Sequence, residues 1–326
     1  MSICLNGVEH IIAFALSNLL FQICSFNIVT LALLFDSLLR SIQVGSLYAL
    51  MALGLTLTMT VTRLPNFAHA EFITVGAYAG LLISLVVPGN LLIVLICAAI
   101  ASASVAWLSH RLVYRSLAKH NLNTYGMILA SFAVGLLIRY LIFLFIDRFD
   151  LFDKPMQVSQ QVLMRGSGYV ITNTFAYSVL AALVLVMGLS LLLNRTGLGR
   201  EMRAVAANTV LARIIGISTD RVHDVTWLVA GGLAGVGGAL WGMYTSINPL
   251  MGFLTILSVF AATVLGGMTS FVGTIIGAFV VSLSENVLMQ VLNSTLGLDF
   301  SLKPAIPFVI IILVLLIRPQ GVGRGE

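Results

Sequence analysis

The sequence predicts an all-α fold: a polytopic helical membrane protein of about ten transmembrane helices. Three observations predict it. Hydrophobic residues make up 59% of the 326-residue chain and charged residues only 9%, too few charges to cover a water-facing surface. Mean hydropathy is +1.06. The apolar residues also fall into runs close to the ~20 residues that a helix needs to cross a bilayer. The 29 glycines suit such a bundle, because small residues let helices approach where lipid supplies no hydrophobic drive between them. The formal net charge of +5 implies no nucleic acid, since basic cytoplasmic loops supply it.

Taken in order, the apolar runs predict spans at 10–35, 42–61, 72–87, 91–109, 126–146, 172–193, 225–246, 252–268, 274–292 and 304–318. Residues 1–35 read as a retained extra N-terminal helix. No basic n-region precedes the run, where Glu9 and His10 stand instead, and the run is long for a signal peptide. The split of the 252–292 stretch falls at Gly267–Gly273. Residues 1–326 thus form a single transmembrane domain. Ten spans divide into five and five, and an odd-numbered half, if repeated, inverts in the membrane. Two inverted five-helix halves follow as an expectation, without an internal sequence match behind it.

Basic residues orient the chain. With both termini inside, the inner segments carry Arg63, Arg111, Arg115, Lys119, Arg195, Arg200, Arg203, Arg213, Arg221, Arg318 and Arg324. The outer segments carry Arg40, Arg148, Lys154, Arg165 and Lys303, which makes eleven against five. The long outer loop from Asp147 to Val170 mixes both charge signs and reads as a solvated cap, ahead of a landing surface for an extracytoplasmic partner.

The polar island at 194–224 interrupts the apolar pattern. Met202, Val205 and Ala206 recur at helical spacing, so Arg200–Asn208 reads as a short helix. A second helix follows from Thr209, Gly216 fits a left-handed stop, and Ser218 or Thr219 caps the next span with Asp220 in its first turn. Two readings stand open: a docking site for a soluble partner, or a helix at the interface with arginines facing lipid phosphates.

A second polar stretch is Arg63-Leu-Pro-Asn-Phe-Ala-His-Ala-Glu71. Pro65 ends a helix, and Asn66, His69 and Glu71 follow between apolar runs. Position alone favours an inner loop at the water boundary with an Arg63–Glu71 ion pair. The competing reading is a broken helix lining a permeation route. Arg139, alone in an apolar span, reads as snorkelling outward rather than pairing with Glu285. Gly231/Gly235 and Gly273/Gly277 have GxxxG spacing and read as static close packing. Cys4, Cys24 and Cys97 show no metal or redox spacing. Phosphate-loop, HExxH and GxSxG patterns are absent.

The chain carries, in order, Gly45-Ser-Leu-Tyr-Ala-Leu-Met-Ala-Leu-Gly54, Asn66-Phe-Ala-His-Ala-Glu71, Gly76-Ala-Tyr78, Arg203-Ala204, Ala212-Arg-Ile-Ile-Gly-Ile217 with Ser218-Thr-Asp-Arg-Val222, Ile247-Asn-Pro249, Ala262-Thr-Val-Leu-Gly-Gly267 and Pro319-Gln-Gly321. Together these segments resemble the inner-membrane permeases of branched-chain amino-acid ABC importers. The matches run in order from about Leu34 to the C-terminus. Ala70 stands where that family usually has Gly.

The resemblance implies a permease subunit that moves amino acids, leucine, isoleucine and valine first, by alternating access. It implies no cofactor on this chain, with ATP held by two cytoplasmic ATPase subunits. A second permease, a paralogue, and an extracytoplasmic solute-binding protein complete the machine in a prokaryotic cell membrane. The 194–224 island becomes the coupling segment, with Glu201, Arg203, Ala207, Asn208, Arg213 and Gly216 at the ATPase contact. Asn66, His69 and Glu71 become path or gate residues. Urea or short amides are the alternative solutes, and an ion-coupled secondary transporter is the rival outside the ABC class. That rival needs intramembrane ionisable residues, and only Arg139 and Glu285 qualify.

Overall fold

The computed structural model describes residues 33–120, 123–166, 169–318 and 321. The predicted 10–35 span and the tail with Arg324 lie almost wholly outside them. The remaining nine spans each coincide with a helix. They are α1 (Leu33–Thr62), α2 (His69–Val86), α3 (Leu91–Lys119), α4 (Thr124–Phe149) and α5 (Asn173–Arg195), then α8 (Thr219–Tyr244), α9 (Met251–Gly266), α10 (Phe271–Leu296) and α11 (Ala305–Ile317). Seven of these are long and apolar enough to cross a membrane, and α9 and α11 are shorter. Between α5 and α8 lie two short helices, α6 (Gly197–Ala207) and α7 (Thr209–Ile214).

Helix starts follow side-chain capping chemistry. Asn90, Asn123, Thr196, Asn208 and Ser270 each accept a hydrogen bond from a backbone N–H in the first turn they precede. Gly267, at φ +99°, ends α9, and this left-handed turn lets α10 fold back on it as a hairpin. The split expected at Gly267–Gly273 is therefore where the chain turns.

The core is built on α1, whose most apolar 18-residue window is 94% buried, against 17% for α4 at the rim. Helices α2, α3 and α8 pack together as a close trio. Gly235 makes that approach possible. A Cβ there would come within 2.7 Å of the Ser102 Cβ, so any side chain would push α3 away from α8.

Two departures from the sequence reading concern the ends of elements. Arg40, expected in an outer loop, lies inside α1 and pairs with Asp36 one turn earlier at 2.6 Å. The 147–170 loop is more than a solvated cap. Its first half packs down, burying Leu151, Met156 and Val158, and Gln157 N–H donates to Ser84 Oγ at 3.1 Å. Its second half forms an antiparallel hairpin of β1 (Val162–Gly166) and β2 (Tyr169–Thr172).

Candidate functional site

The segment between α1 and α2 climbs into the bundle instead of lying at its edge. Phe67 N–H donates to Ser131 Oγ at 3.2 Å. Ser131 is the eighth residue of α4, which places this contact about 10 Å above the start of that helix at 1.5 Å per residue. The Phe67 ring stacks on Phe132 and Phe260, with centroids 4.1 and 4.8 Å apart. Pro65 breaks the α1 helix, and α2 restarts only at His69, inside the packed interior. The expected boundary loop is thus a buried break between two helices.

Asn66, His69 and Glu71 are all buried, but they point to three different helices. Asn66 Oδ1 accepts from the Tyr114 hydroxyl of α3 at 3.0 Å and from Ala68 N–H at 3.1 Å. His69 Nε2 lies 2.9 Å from the Met51 carbonyl of α1. Glu71 Oε1 accepts from Arg139 of α4, at 2.9 Å from Nε and 2.5 Å from Nη2. The three therefore do not converge on one point. They anchor the start of α2 to α3, α1 and α4 respectively. Each keeps one polar atom without a hydrogen-bond partner among the described residues: Asn66 Nδ2, His69 Nδ1 and Glu71 Oε2.

Two ion-pair expectations are corrected here. Glu71 pairs with Arg139 rather than with Arg63. Arg139 neither snorkels nor reaches Glu285, because a buried carboxylate one helix away offers it a closer partner. The Arg139 guanidinium also lies 4.2 Å over the Phe253 ring of α9. Glu285 instead accepts from Tyr48 Oη at 2.9 Å and from Ser258 Oγ at 2.6 Å.

Among the described residues, two π-turns interrupt the long helices, and both sit at polar contacts. A π-turn at His110–Tyr114 lies where Tyr114 meets Asn66, and another at Ser284–Leu288 carries Glu285 and Asn286. Such single-turn bulges commonly re-aim side chains at functional positions. Next to Asn286, the Lys303 ammonium, just outside the spans, donates to Asn286 Oδ1 at 2.9 Å, and burial pulls its pKa below the usual lysine range.

Arg63 has a different job from the one expected of it. It adopts φ 55°, unusual for a residue with a side chain, and its Nη2 donates to the Ala206 carbonyl at 3.0 Å and the Ala207 carbonyl at 3.4 Å. These carbonyls end α6, where a cation is favoured by the helix dipole. One residue thus links the break before α2 to the polar island.

The island folds as helix, turn, helix and stop. Met202 and Val205 of α6 face the bundle, Asn208 Oδ1 caps α7 through Val210 and Leu211 N–H at 3.0 and 2.9 Å, and Gly216 turns at φ +88°. Ser218 occupies the position before α8 without capping it through its side chain. Arg203 turns back to the Leu193 carbonyl at the end of α5, and Arg213 Nη2 donates to Thr219 Oγ1 at 3.4 Å. Glu201 is half-buried, while Ala207 is exposed with its carbonyl held by Arg63.

The residues left protruding are ones that a search for charge passes over. Val210, Leu211, Ile214 and Ile215 are between 56% and 75% exposed around Arg213. Together these residues form an apolar knob at α7, with Arg213 among them. Just beyond it, Arg111 and Arg115 of α3 pair with Asp224 and Asp220 of α8, tying the first turns after the island to the trio.

Comparison with known proteins adds a separate line. Residues 37–315 match a family described as the permease component of the branched-chain amino acid transport system. The chain is 31% identical over 288 residues to a probable branched-chain amino acid transport permease protein LivH of Methanocaldococcus jannaschii, covering 85% of this chain and 89% of that one. It is 29% identical over 311 residues to the high-affinity branched-chain amino acid transport system permease protein LivH of Escherichia coli, covering 89% and 96%. A solved structure of PsaBC from Streptococcus pneumoniae in complex with Fab covers 88% of this chain and 92% of that one. Its TM-score of 0.47 and 12% identity are too low to carry an argument.

Proposed function

The chain belongs to the branched-chain amino acid transport permease family, the membrane-spanning component of ABC importers, and from that premise we propose which solute it carries and how it is driven. It is a transport component rather than an enzyme, and it spans a membrane. The solute is an amino acid, with leucine, isoleucine and valine first. Two cytoplasmic ATPases, a second permease of related sequence and an extracytoplasmic binding protein complete the transporter, in a prokaryotic cell membrane with both termini inside. ATP stays on the partner subunits.

The observation that carries the mechanism is Arg63, bonded to the last carbonyls of α6. The apolar knob of α7 docks in a groove of the ATPase, so closure of the ATPases displaces α6 and α7 together. The Arg63 tie passes that displacement to the break before α2. There the Asn66–Tyr114, His69–Met51 and Glu71–Arg139 contacts hold α2 to three helices at once. Shifting α2 against α4 opens and closes the path, a rigid-body rearrangement between discrete packed states. Glu201, Arg203, Ala207, Asn208, Arg213 and Gly216 shape and support the docking segment, and the exposed aliphatic residues of α7 supply its contact area.

Uptake by the complete transporter in proteoliposomes tests this reading, across a panel of labelled amino acids and urea. The expected result is ATP-dependent accumulation of leucine, isoleucine and valine. Accumulation of urea or short amides in their place would replace the solute, and accumulation without the ATPases would overturn the drive.

A further inference from the structure

The ion pair between Glu71 and Arg139 is used unevenly. Both bonds from Arg139 land on Oε1 and use Nε and Nη2, not Nη1, and Glu71 Oε2 has no hydrogen-bond partner among the described residues. Arg139 lines a cavity of about 50 Å³, walled by Phe67, Phe132, Leu136 and Phe253. At its mouth Phe132, Leu136 and Phe253 are 43%, 46% and 46% exposed, so the cavity opens on the flank between α4 and α9. Arg139 is the sixteenth of 26 residues in α4, near the middle of a membrane-length helix. A guanidinium there is costly if its opening meets hydrocarbon, and such residues face protein or a water-filled route.

We propose that the free edge of Arg139 is a subsite for the carboxylate of the transported amino acid, with Glu71 fixing the guanidinium in place. This rests on the reading of the Asn66–Glu71 segment as part of the path. Arginine's planar fork matches a carboxylate with two parallel N–H donors, and Glu71 occupies only the Nε and Nη2 side. The cavity takes a carboxylate but not a whole branched side chain. The remainder of the solute extends through the mouth, where the Phe132 and Phe253 rings offer an apolar wall to the side chain. Urea has no carboxylate and gains nothing from this geometry. The flank between α4 and α9 accordingly faces the translocation route.

The test uses the assembled transporter in nanodiscs. Cys4, Cys24 and Cys97 are replaced by serine and a single reporter is added as Leu136→Cys, an exposed position at the mouth. A charged methanethiosulfonate reagent is expected to modify it. L-leucine at twice its half-saturating concentration is expected to slow that modification about threefold, the factor 1 + [L]/Kd, while leucinol, which lacks the carboxylate, leaves the rate unchanged. Adding Arg139→Lys, which keeps the charge opposite Glu71, is expected to preserve modification and abolish protection by leucine. Absence of modification overturns the proposal, because the mouth then faces lipid or packed protein. Equal protection by leucinol, no protection by leucine, or protection that survives Arg139→Lys overturns the carboxylate subsite while leaving the path reading in place. That reading fails separately if Glu71→Ala transports normally.

Discussion

Glu71 and Glu285 are both carboxylates buried among apolar helices, and they are held in opposite ways. Glu285 is closed off: one oxygen takes the Tyr48 hydroxyl, the other takes Ser258, and Lys303 sits beside it on Asn286. Glu71 is half open, with a single cation on a single oxygen and a cavity on the far side of that cation. A satisfied buried network rigidifies what it joins, whereas an unsatisfied one retains the capacity to bind or rearrange. The first arrangement locks α1, α9 and α10 together, and the second leaves α2 and α4 joined by a contact that can exchange partners.

Removing the inner carboxylate has the largest expected effect. Glu71→Ala strands the Arg139 charge in the bilayer interior, and breaking a buried pair in this way costs about 3–5 kcal/mol. Uptake is expected to vanish while the ATPases still copurify, since the polar island proposed to dock them is untouched. Normal uptake by this variant removes Glu71 from the path.

Next comes Arg63, the proposed link between the polar island and the half-open pair. Arg63→Ala deletes two bonds from a cation to carbonyls, worth roughly 1–2 kcal/mol, so solute moved per ATP hydrolysed is expected to fall on the order of tenfold. ATP hydrolysis itself is expected to continue. Parallel loss of hydrolysis and uptake in the same preparation sinks the transmission role.

The closed-off Glu285 is expected to respond in stability instead. Glu285→Ala leaves the Tyr48 and Ser258 hydroxyls without an acceptor, at about 1–3 kcal/mol, so thermal unfolding of the complex shifts down while KM for the solute stays put. A change in KM would make Glu285 a path residue and erase the contrast. The smallest effect belongs to Glu285→Gln, which keeps shape and one acceptor. Both stability and uptake are expected within about 1 kcal/mol of the parent.

Much of the helix layout was legible in the chain because hydropathy is local. Gly216 and Gly267 stand where helices end, and the 3.6-residue pattern around Met202 and Val205 already marks the inward face of α6. The polar stretch at Asn66–Glu71 was visible for the same reason, as charge and amide inside grease. Its geometry was not legible. The depth of that stretch depends on Phe67 packing against α4 and α9, and the partner of Glu71 lies 68 residues away on a helix whose rotation no local pattern specifies. The role of Arg63 was hidden likewise, because its acceptors are backbone carbonyls, which carry no sequence signal.

From composition alone the chain had to be a helical bundle in lipid, since a backbone without water can satisfy itself only within helices or closed barrels, and its runs are long and apolar without strand alternation. The turns at Gly216 and Gly267 and the two short helices of the polar island followed from the same local chemistry. Tertiary structure decided which buried charge meets which. Pairing depends on how helices are rotated and staggered against one another, and that is fixed jointly by close approaches such as that of Gly235 in α8 to α3 and by the need of each ionisable group to find a partner away from hydrocarbon.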